Sequence, residues 1–250
     1  MGVLDKQVVM VAGASRGIGL AIAEATAAAG AVTLVAARSK PELDAIAGRI
    51  GGRAIQLDFT DEDSISRAAE EAGEVDVLIN VAGMNIRKPF EDYTREEIER
   101  LMQTNFTGLA RLTQLVGRRM IRRRKGKVIH IGSLSSLLGV PYISIYAATK
   151  GALGQLTRAL AAEWGRHNIT VNCIAPGFIL TDLTREVWKD EKMLEWLAGS
   201  QAIGRLGTPE DISALAVFLA SPQSDYITGQ IIAVDGGHST TTIWPFEQHR

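Results

Sequence analysis

Tyr146 and Lys150 stand four residues apart in the run Tyr146-Ala147-Ala148-Thr149-Lys150. On a helix that spacing puts both side chains on one face, about one turn apart. An ammonium beside a phenol favours the phenolate, so the pair predicts a Tyr146 pKa lowered from its ordinary value of about 10. A tyrosine tuned in this way passes a proton to or from a carbonyl or alcohol oxygen. Ser133 lies thirteen residues before Tyr146, at the end of the apolar run Val128-Ile129-His130-Ile131. A hydroxyl delivered there can polarise the same oxygen.

Such a site needs a scaffold that brings these residues to a second reactant. Val8-Val9-Met10-Val11-Ala12 is a short apolar run suited to a strand buried on both faces. Gly13-Ala14-Ser15-Arg16-Gly17-Ile18-Gly19 follows, and an alanine-rich helix is expected from about Leu20 to Ala29. A strand, a glycine turn and a helix form the context in which backbone N–H groups and a helix dipole hold a pyrophosphate. Further strands are expected at Val32–Ala37, Ala54–Asp58, Val75–Ile79, Lys127–Ile131, Ile169–Ala175 and from Ile227 onward. Helices are expected between them: from about Asp61 with Thr60 as N-cap, from Thr94 to about Arg124 with Gly126 closing it, through Tyr146 to Trp164, and from Pro209 with Thr208 as N-cap.

Ser133, Tyr146 and Lys150 fit Ser-x12-Tyr-x3-Lys, and the glycine turn reads Gly-x3-Gly-x-Gly. With Asn80-Val81-Ala82-Gly83, Asn105 and Pro176-Gly177, the chain resembles the short-chain dehydrogenase/reductase family from Val8 to Gly237. It departs from the family at Ala12, where Thr is usual, and at Val81, where a second Asn is usual.

The resemblance implies an α/β fold: one Rossmann-type, doubly wound parallel β-sheet of about seven strands with helices on both faces. It implies a single dinucleotide-binding domain over 1–250, with a substrate lid at about 182–204. Catalysis would rest on Ser133, Tyr146, Lys150 and Asn105, the last holding a water beside the lysine. The cofactor would meet Gly13, Ser15, Arg16, Gly17, Ile18, Gly19, Arg38, Asp58, Asn80, Ala82, Gly83, Tyr146, Lys150, Pro176, Gly177, Ile179 and Thr181. Where an NAD-specific chain carries an acidic residue at the end of the second strand, this one has Ala37 followed by Arg38. Two guanidinium groups, Arg16 and Arg38, favour a 2′-phosphate, so NADP(H) is preferred and NAD(H) is admitted. Family members are commonly homotetramers.

The substrate is read as a small carbonyl or secondary alcohol compound. Met84–Phe90, Glu163–Ile169 and Asp190–Leu197 resemble sugar-acid reductases of the gluconate 5-dehydrogenase type. Arg87 and Lys88 would then bind an acidic or polyhydroxylated substrate, together with Ser133, Ser135 and Tyr146. Leu134, Leu137 and Leu138 point instead to an apolar pocket, as in a 3-oxoacyl-carrier-protein reductase or a broad ketone reductase. A non-catalytic nucleotide-binding regulator is the alternative of another class; it has no use for a proton relay.

Composition narrows the rest. Hydrophobic residues are 46% and charged residues 22%, the balance of a soluble globular protein. The net charge of −1 gives no general attraction to nucleic acid or membrane. The basic run Arg118 to Lys125 is read as complementing a helix C-terminus. Cys173 is the only cysteine, so no internal disulfide forms. The four histidines show no metal-ligand spacing, and no metal is expected. No signal peptide or membrane span is read, and a cytoplasmic location is expected. Trp244 and Phe246 suggest a tail that docks on a neighbouring subunit or stays disordered.

Overall fold

The computed structural model describes residues 2–182 and 184–242. Leu183, within the stretch expected to form a lid, and the tail residues Trp244 and Phe246 lie outside the described residues. Among those described, β1 (Val8–Ala12), β2 (Val32–Ala37), β3 (Arg53–Gln56), β4 (Val77–Asn80), β5 (Gly126–Ile131), β6 (Ile169–Pro176) and β7 (Ile231–Val234) form one parallel sheet. Their order is β3-β2-β1-β4-β5-β6-β7. The helices are α1 (Gly17–Ala28), α2 (Lys40–Ile50), α3 (Glu62–Ala72), α4 (Arg95–Met102), α5 (Gly108–Arg123), α6 (Ser144–Trp164), α7 (Glu191–Ser200) and α8 (Pro209–Ala220). None of the described helices is long and apolar enough to cross a membrane.

The continuous apolar runs of the strands have a packing cause. Alternate side chains leave opposite faces of a sheet, and both faces here are covered. Met10, Ala12, Leu78 and Val128 join Ile65, Leu109, Leu112, Val116 and Leu153 in the core under α3, α5 and α6. Val9, Val11, Ile79 and Ile129 join Ile22, Leu43, Ile212, Ala216 and Leu219 under α1, α2 and α8.

Strand order reverses between β1 and β4, and ligands of open α/β sheets bind in the crevice that this reversal opens at the carboxyl ends. The two loops leaving that point are in contact. Gly13 has φ +105, and a Cβ on it would stand 2.5 Å from the Ala82 nitrogen. Val81 and Ala82 both donate their N–H groups to the Ala12 carbonyl. The contact therefore runs through backbone, without a side-chain hydroxyl at Ala12.

Several local expectations need correction. Asp61, not Thr60, caps α3: its carboxylate accepts from the N–H groups of Asp63 and Ser64, at 2.9 and 3.2 Å. A carboxylate is a charged acceptor at the positive end of a helix and outcompetes a hydroxyl there. Thr60 turns the other way and donates to Asp58. The stretch from Thr94 is one helical path interrupted by a π-turn at Gln103–Thr107. Its C-cap is Arg124, in the left-handed conformation (φ 53), and Gly126 already belongs to β5. Gly126 is needed for space: a Cβ there would lie 2.5 Å from the Met120 sulfur. The basic run is spent on the fold. Arg119 donates to the Ala69 and Gly73 carbonyls, Arg123 to Val75 and Asp76, and Arg124 to Arg166.

One polar group sits deep in the first core. His130 on β5 is fully buried; Asn80 Nδ2 on the paired strand lies 3.2 Å from its Nδ1 and 2.8 Å from Thr113 Oγ1. Burial, with a smaller contribution from the Lys150 charge, lowers the His130 pKa from 6.5 to about 4. The folded chain therefore holds this imidazole neutral while the unfolded chain protonates it first. Its contribution is complete above pH 6.5 and is lost as pH falls toward 4. Thermal unfolding followed between those limits should show about 3 kcal/mol of lost stability from this group. His130→Gln should flatten that slope; an unchanged slope would assign the acid sensitivity elsewhere.

Candidate active site

Lys150 reaches the end of the sheet from α6 and is almost wholly buried. Its Nζ donates to the Ile131 carbonyl at 2.9 Å, which fixes the ammonium beside the end of β5. Gly83 leaves the space it occupies: a Cβ there would be 3.3 Å from Lys150 Nζ and 3.7 Å from Asn105 Oδ1. Desolvation lowers the Lys150 pKa from 10.5 to about 8, against a smaller opposing effect of Cys173. Burial likewise pushes the Cys173 thiol up to about 11.

Tyr146 lies one turn earlier on the same helix and is half-buried. Lys150 Nζ stands 5.7 Å from the centre of its ring, so the two side chains share a face as the spacing predicts. The expected fall in the phenol pKa does not appear. Burial raises it, and the nearby Ser133 hydroxyl opposes that rise with the smaller effect. The ammonium is itself desolvated and committed to Ile131, so its field does not overcome the desolvation of the phenol. In this site Tyr146 rests as a protonated acid.

Ser133 caps a single 3-10 turn, Leu134–Ser136. Its Oγ accepts from Ser135 N–H at 3.1 Å and donates to Ser135 Oγ at 3.3 Å. Asn105 sits inside the π-turn and is fully buried. Its amide clamps Met84 on both sides: Oδ1 accepts from Met84 N–H and Nδ2 donates to the Met84 carbonyl, each at 2.8 Å. Nδ2 also reaches Thr149 Oγ1 at 3.3 Å. The π-turn widens the helix by one residue at the point where it faces Lys150 and Gly83, a common device at functional sites.

The residues expected to meet a dinucleotide gather at the switch point. Arg16 occupies the N-cap of α1 without capping it, and no acidic side chain stands in the first turn. The N–H groups there keep their positive end for an anion. Gly17 faces Thr181: a Cβ on Gly17 would come to 3.5 Å of the Thr181 methyl. Thr181 is held by Thr184, which donates to the Ile179 carbonyl at 2.7 Å and accepts from Thr181 N–H at 2.9 Å. The Phe178–Leu180 segment is pinned to Gly207 by two backbone bonds of 2.8 and 2.9 Å. Gly177 lies against Asp235, whose Cα would be 2.6 Å from an added Cβ.

Arg38 is exposed at the end of β2. Its charge, after the opposing effect of burial and two bonds from Thr60, helps hold the Asp58 carboxyl below its usual value. Among the described residues no carboxylate pairs with Arg16 or Arg38. An uncapped helix N-terminus with two free guanidinium groups fits a pyrophosphate and a further phosphate. Asn80 belongs to the same list but is wholly buried, its amide nitrogen turned to Thr113 and His130. It steadies the sheet from inside. Ser15 lies in the glycine turn, whereas Ile18 and Gly19 already belong to α1, which starts at Gly17 rather than at about Leu20. Among the described residues there is no cluster of metal-ligating side chains.

The stretch from Met84 to Lys88 is tied at three points: Met84 to Asn105, the Ile86 carbonyl to the Tyr93 hydroxyl, and Lys88 N–H to the Tyr142 carbonyl at 2.9 Å. Lys88 is not available to a substrate. Its Nζ pairs with Glu97 at 2.5 Å and stands 5.4 Å above the Tyr93 ring. Glu97 completes the capping box with Thr94 at the start of α4, and its reach to Lys88 depends on the turn between them. Arg87 is exposed and has no acidic partner among the described residues. Leu134 is buried and belongs to the core, whereas Leu137 is 43% exposed.

The stretch expected to form a lid folds as a short 3-10 turn, Val187–Lys189, and α7. It docks on Phe178, whose ring meets Trp188 and Trp196 edge-on at 5.4 Å and His238 at 5.0 Å. His238 Nδ1 donates to the Ser200 carbonyl at 2.9 Å, closing the C-terminal end of α7. A cavity of about 150 Å³ lies behind Phe178 and Ile179, bounded by Gln201, Arg205 and Asp235; neither Ser133 nor Tyr146 lines it.

A family model described as Enoyl-(Acyl carrier protein) reductase matches residues 13–239. The chain belongs to the short-chain dehydrogenase/reductase family. It is 37% identical to gluconate 5-dehydrogenase of Gluconobacter oxydans over 237 residues, covering 91% of this chain and 93% of that one. It is 39% identical to a 3-oxoacyl-(acyl-carrier-protein) reductase of Vibrio cholerae over 240 residues, covering 94% and 98%. A gluconate 5-dehydrogenase from Burkholderia cenocepacia, solved in complex with NADP and tartrate, superposes with a TM-score of 0.92 at 34% identity, covering 96% of this chain and 97% of that one. The chain is thus an NAD(P)-dependent oxidoreductase of a family whose Ser, Tyr and Lys motif it carries intact.

The buried ammonium gives this site a cost that can be measured. With its pKa lowered to about 8, the Lys150 charge destabilises the fold throughout the neutral range; the cost shrinks only as pH rises from there toward 10.5. Lys150→Met should therefore unfold at higher temperature than the parent, by the equivalent of about 1–3 kcal/mol, while losing activity. A lower melting temperature for that variant would contradict the assignment.

Proposed function

We propose that the protein interconverts a ketone and a secondary alcohol with NADP(H), and that its substrate is a sugar acid of the 5-ketogluconate/gluconate kind. Arg87 carries this reading. Among the described residues its guanidinium has no carboxylate partner, and it lies on a loop whose neighbours are tied to Asn105 and to the segment leading into Tyr146. A substrate carboxylate supplies the missing charge and is held bidentately. The relatives named for gluconate 5-dehydrogenase activity support the same reading.

A bound nicotinamide supplies or accepts the hydride; the chain does the rest. In reduction Tyr146 gives its proton to the carbonyl oxygen, and Ser133 holds that oxygen through its hydroxyl. The raised phenol pKa suits a donor that must be protonated at the start. Lys150 stabilises the phenolate left behind and holds the cofactor ribose. Asn105 keeps the helix open beside Lys150 so that a water can return the proton. Arg16 and Arg38 take the 2′-phosphate, which supports NADPH over NADH. The lid on Phe178 excludes water from the reacting atoms. The protein works as a homotetramer in the cytoplasm.

A second reading has its own observation. Leu137 and Tyr142, 43% and 59% exposed, give the Ser133 and Tyr146 segments apolar surface suited to a 3-oxoacyl thioester or aromatic ketone. NADPH and NADH oxidation with 5-ketogluconate, an acetoacetyl thioester and an aromatic ketone separates the two. We expect 5-ketogluconate with NADPH to be preferred. Arg87→Ala should lower the kcat/KM ratio of 5-ketogluconate over the aromatic ketone by about 10- to 100-fold, the scale of one charged hydrogen bond. An unchanged ratio would remove Arg87 from the substrate site.

Tyr146→Phe should reduce kcat by about 100-fold or more, while titration of NADPH fluorescence shows the cofactor still bound. Near-parental turnover in that variant would overturn the mechanism.

A further inference from the structure

The turn that follows β5 spends two hydroxyls on Ser133, and they do different work. Ser136 Oγ accepts from Ser133 N–H at 3.3 Å and donates to the Lys150 carbonyl at 2.8 Å. It therefore fixes the Ser133 backbone to the helix that carries Tyr146 and Lys150, and its own proton is committed. Ser135 addresses the Ser133 side chain alone. Its N–H donates to Ser133 Oγ at 3.1 Å, and its Oγ receives the Ser133 proton at 3.3 Å. Ser133 and Ser135 are each 8% exposed, so water does not readily replace either bond between them.

We propose that Ser135 is a positioning residue that sets the direction of the Ser133 hydroxyl proton. A serine hydroxyl has one proton and two acceptor sites. In the resting site the Ser133 proton is committed to Ser135 Oγ. When a substrate oxygen arrives, Ser133 turns its proton to it, and Ser135 Oγ loses the bond it was receiving. The Ser135 hydroxyl rotates and donates its own proton back to Ser133 Oγ. No covalent bond breaks; both hydroxyls rotate, and the hydrogen bond between them reverses direction.

Ser133 then accepts from both the N–H and the hydroxyl of Ser135 while donating to the substrate. Each accepted bond polarises its O–H group and makes it a stronger donor. The gain appears only when Ser133 is donating to an oxygen that gathers charge, so it belongs to the transition state and raises kcat. Ser136 cannot take this part, because its proton already serves the Lys150 carbonyl.

This inference rests on the role proposed above for Ser133, and the test keeps the two apart. Ser133→Ala, Ser135→Ala and the double variant are assayed for kcat and for the KM of NADPH and of the preferred ketone. Thermal unfolding confirms that each is folded. We expect Ser135→Ala to lower kcat about tenfold, the scale of one neutral hydrogen bond, with both KM values within about twofold of the parent. The double variant should be no slower than Ser133→Ala, because Ser135 acts through Ser133.

A Ser135→Ala variant with parental kcat would overturn the proposal. So would a loss confined to the KM of the ketone, which would make Ser135 a direct substrate contact, or losses that multiply in the double variant. Parental activity in Ser133→Ala would instead remove the role of Ser133 itself.

Discussion

An ammonium held away from water is the constraint that orders this site. Among the described residues the Lys150 ammonium makes one protein hydrogen bond, to the last carbonyl of β5, and the residue has almost no exposure. Its neighbours are arranged so that it meets no second positive charge. His130 stays neutral, and Gly83 offers no side chain. The ammonium thereby keeps its charge at the carboxyl end of the sheet. The fold tolerates the loss of hydration because two continuous apolar layers support the strands on either side.

The sheet contributes position as well as stability. Residues that are far apart in sequence meet at the carboxyl ends of its strands: Gly17 against Thr181, Gly13 against Ala82, Lys150 against Ile131. Most of these contacts are made by backbone or by the absence of a side chain. That explains how the chain keeps the architecture with Ala12 and Val81 in place of polar residues. The Ala12 carbonyl accepts from Val81 and Ala82 whatever its own side chain is.

The strands, the glycine turn and the Ser133, Tyr146 and Lys150 set were legible because each has a local cause: an apolar run, a bend only glycine permits, or a fixed helical spacing. What escaped depended on competition or on distance. Thr60 and Asp61 are adjacent candidates for one cap, and only the geometry of the turn decides that the carboxylate takes it. Lys88 reads as a free cation until Glu97 is folded next to it. Helix α2 buries only Leu43, Ile46 and Ala47, too sparse a stripe to stand out in the sequence. The Tyr146 acidity had the wrong sign because spacing supplies the partner but says nothing of burial, and burial is the larger effect. Ser135 and Ser136 are visible as hydroxyls, yet their roles rest on which atom each one faces.

The rings gathered on Phe178 have an optical consequence. Trp188 and Trp196 are two of the chain's four tryptophans, and both touch the ring that adjoins Gly177 and Ile179. A shift of that segment changes the surroundings of both indoles together, while Trp164 remains packed in the core beneath α6. The protein thus carries its own emission probe where α7 meets the dinucleotide crevice, with a steady internal reference elsewhere in the same chain.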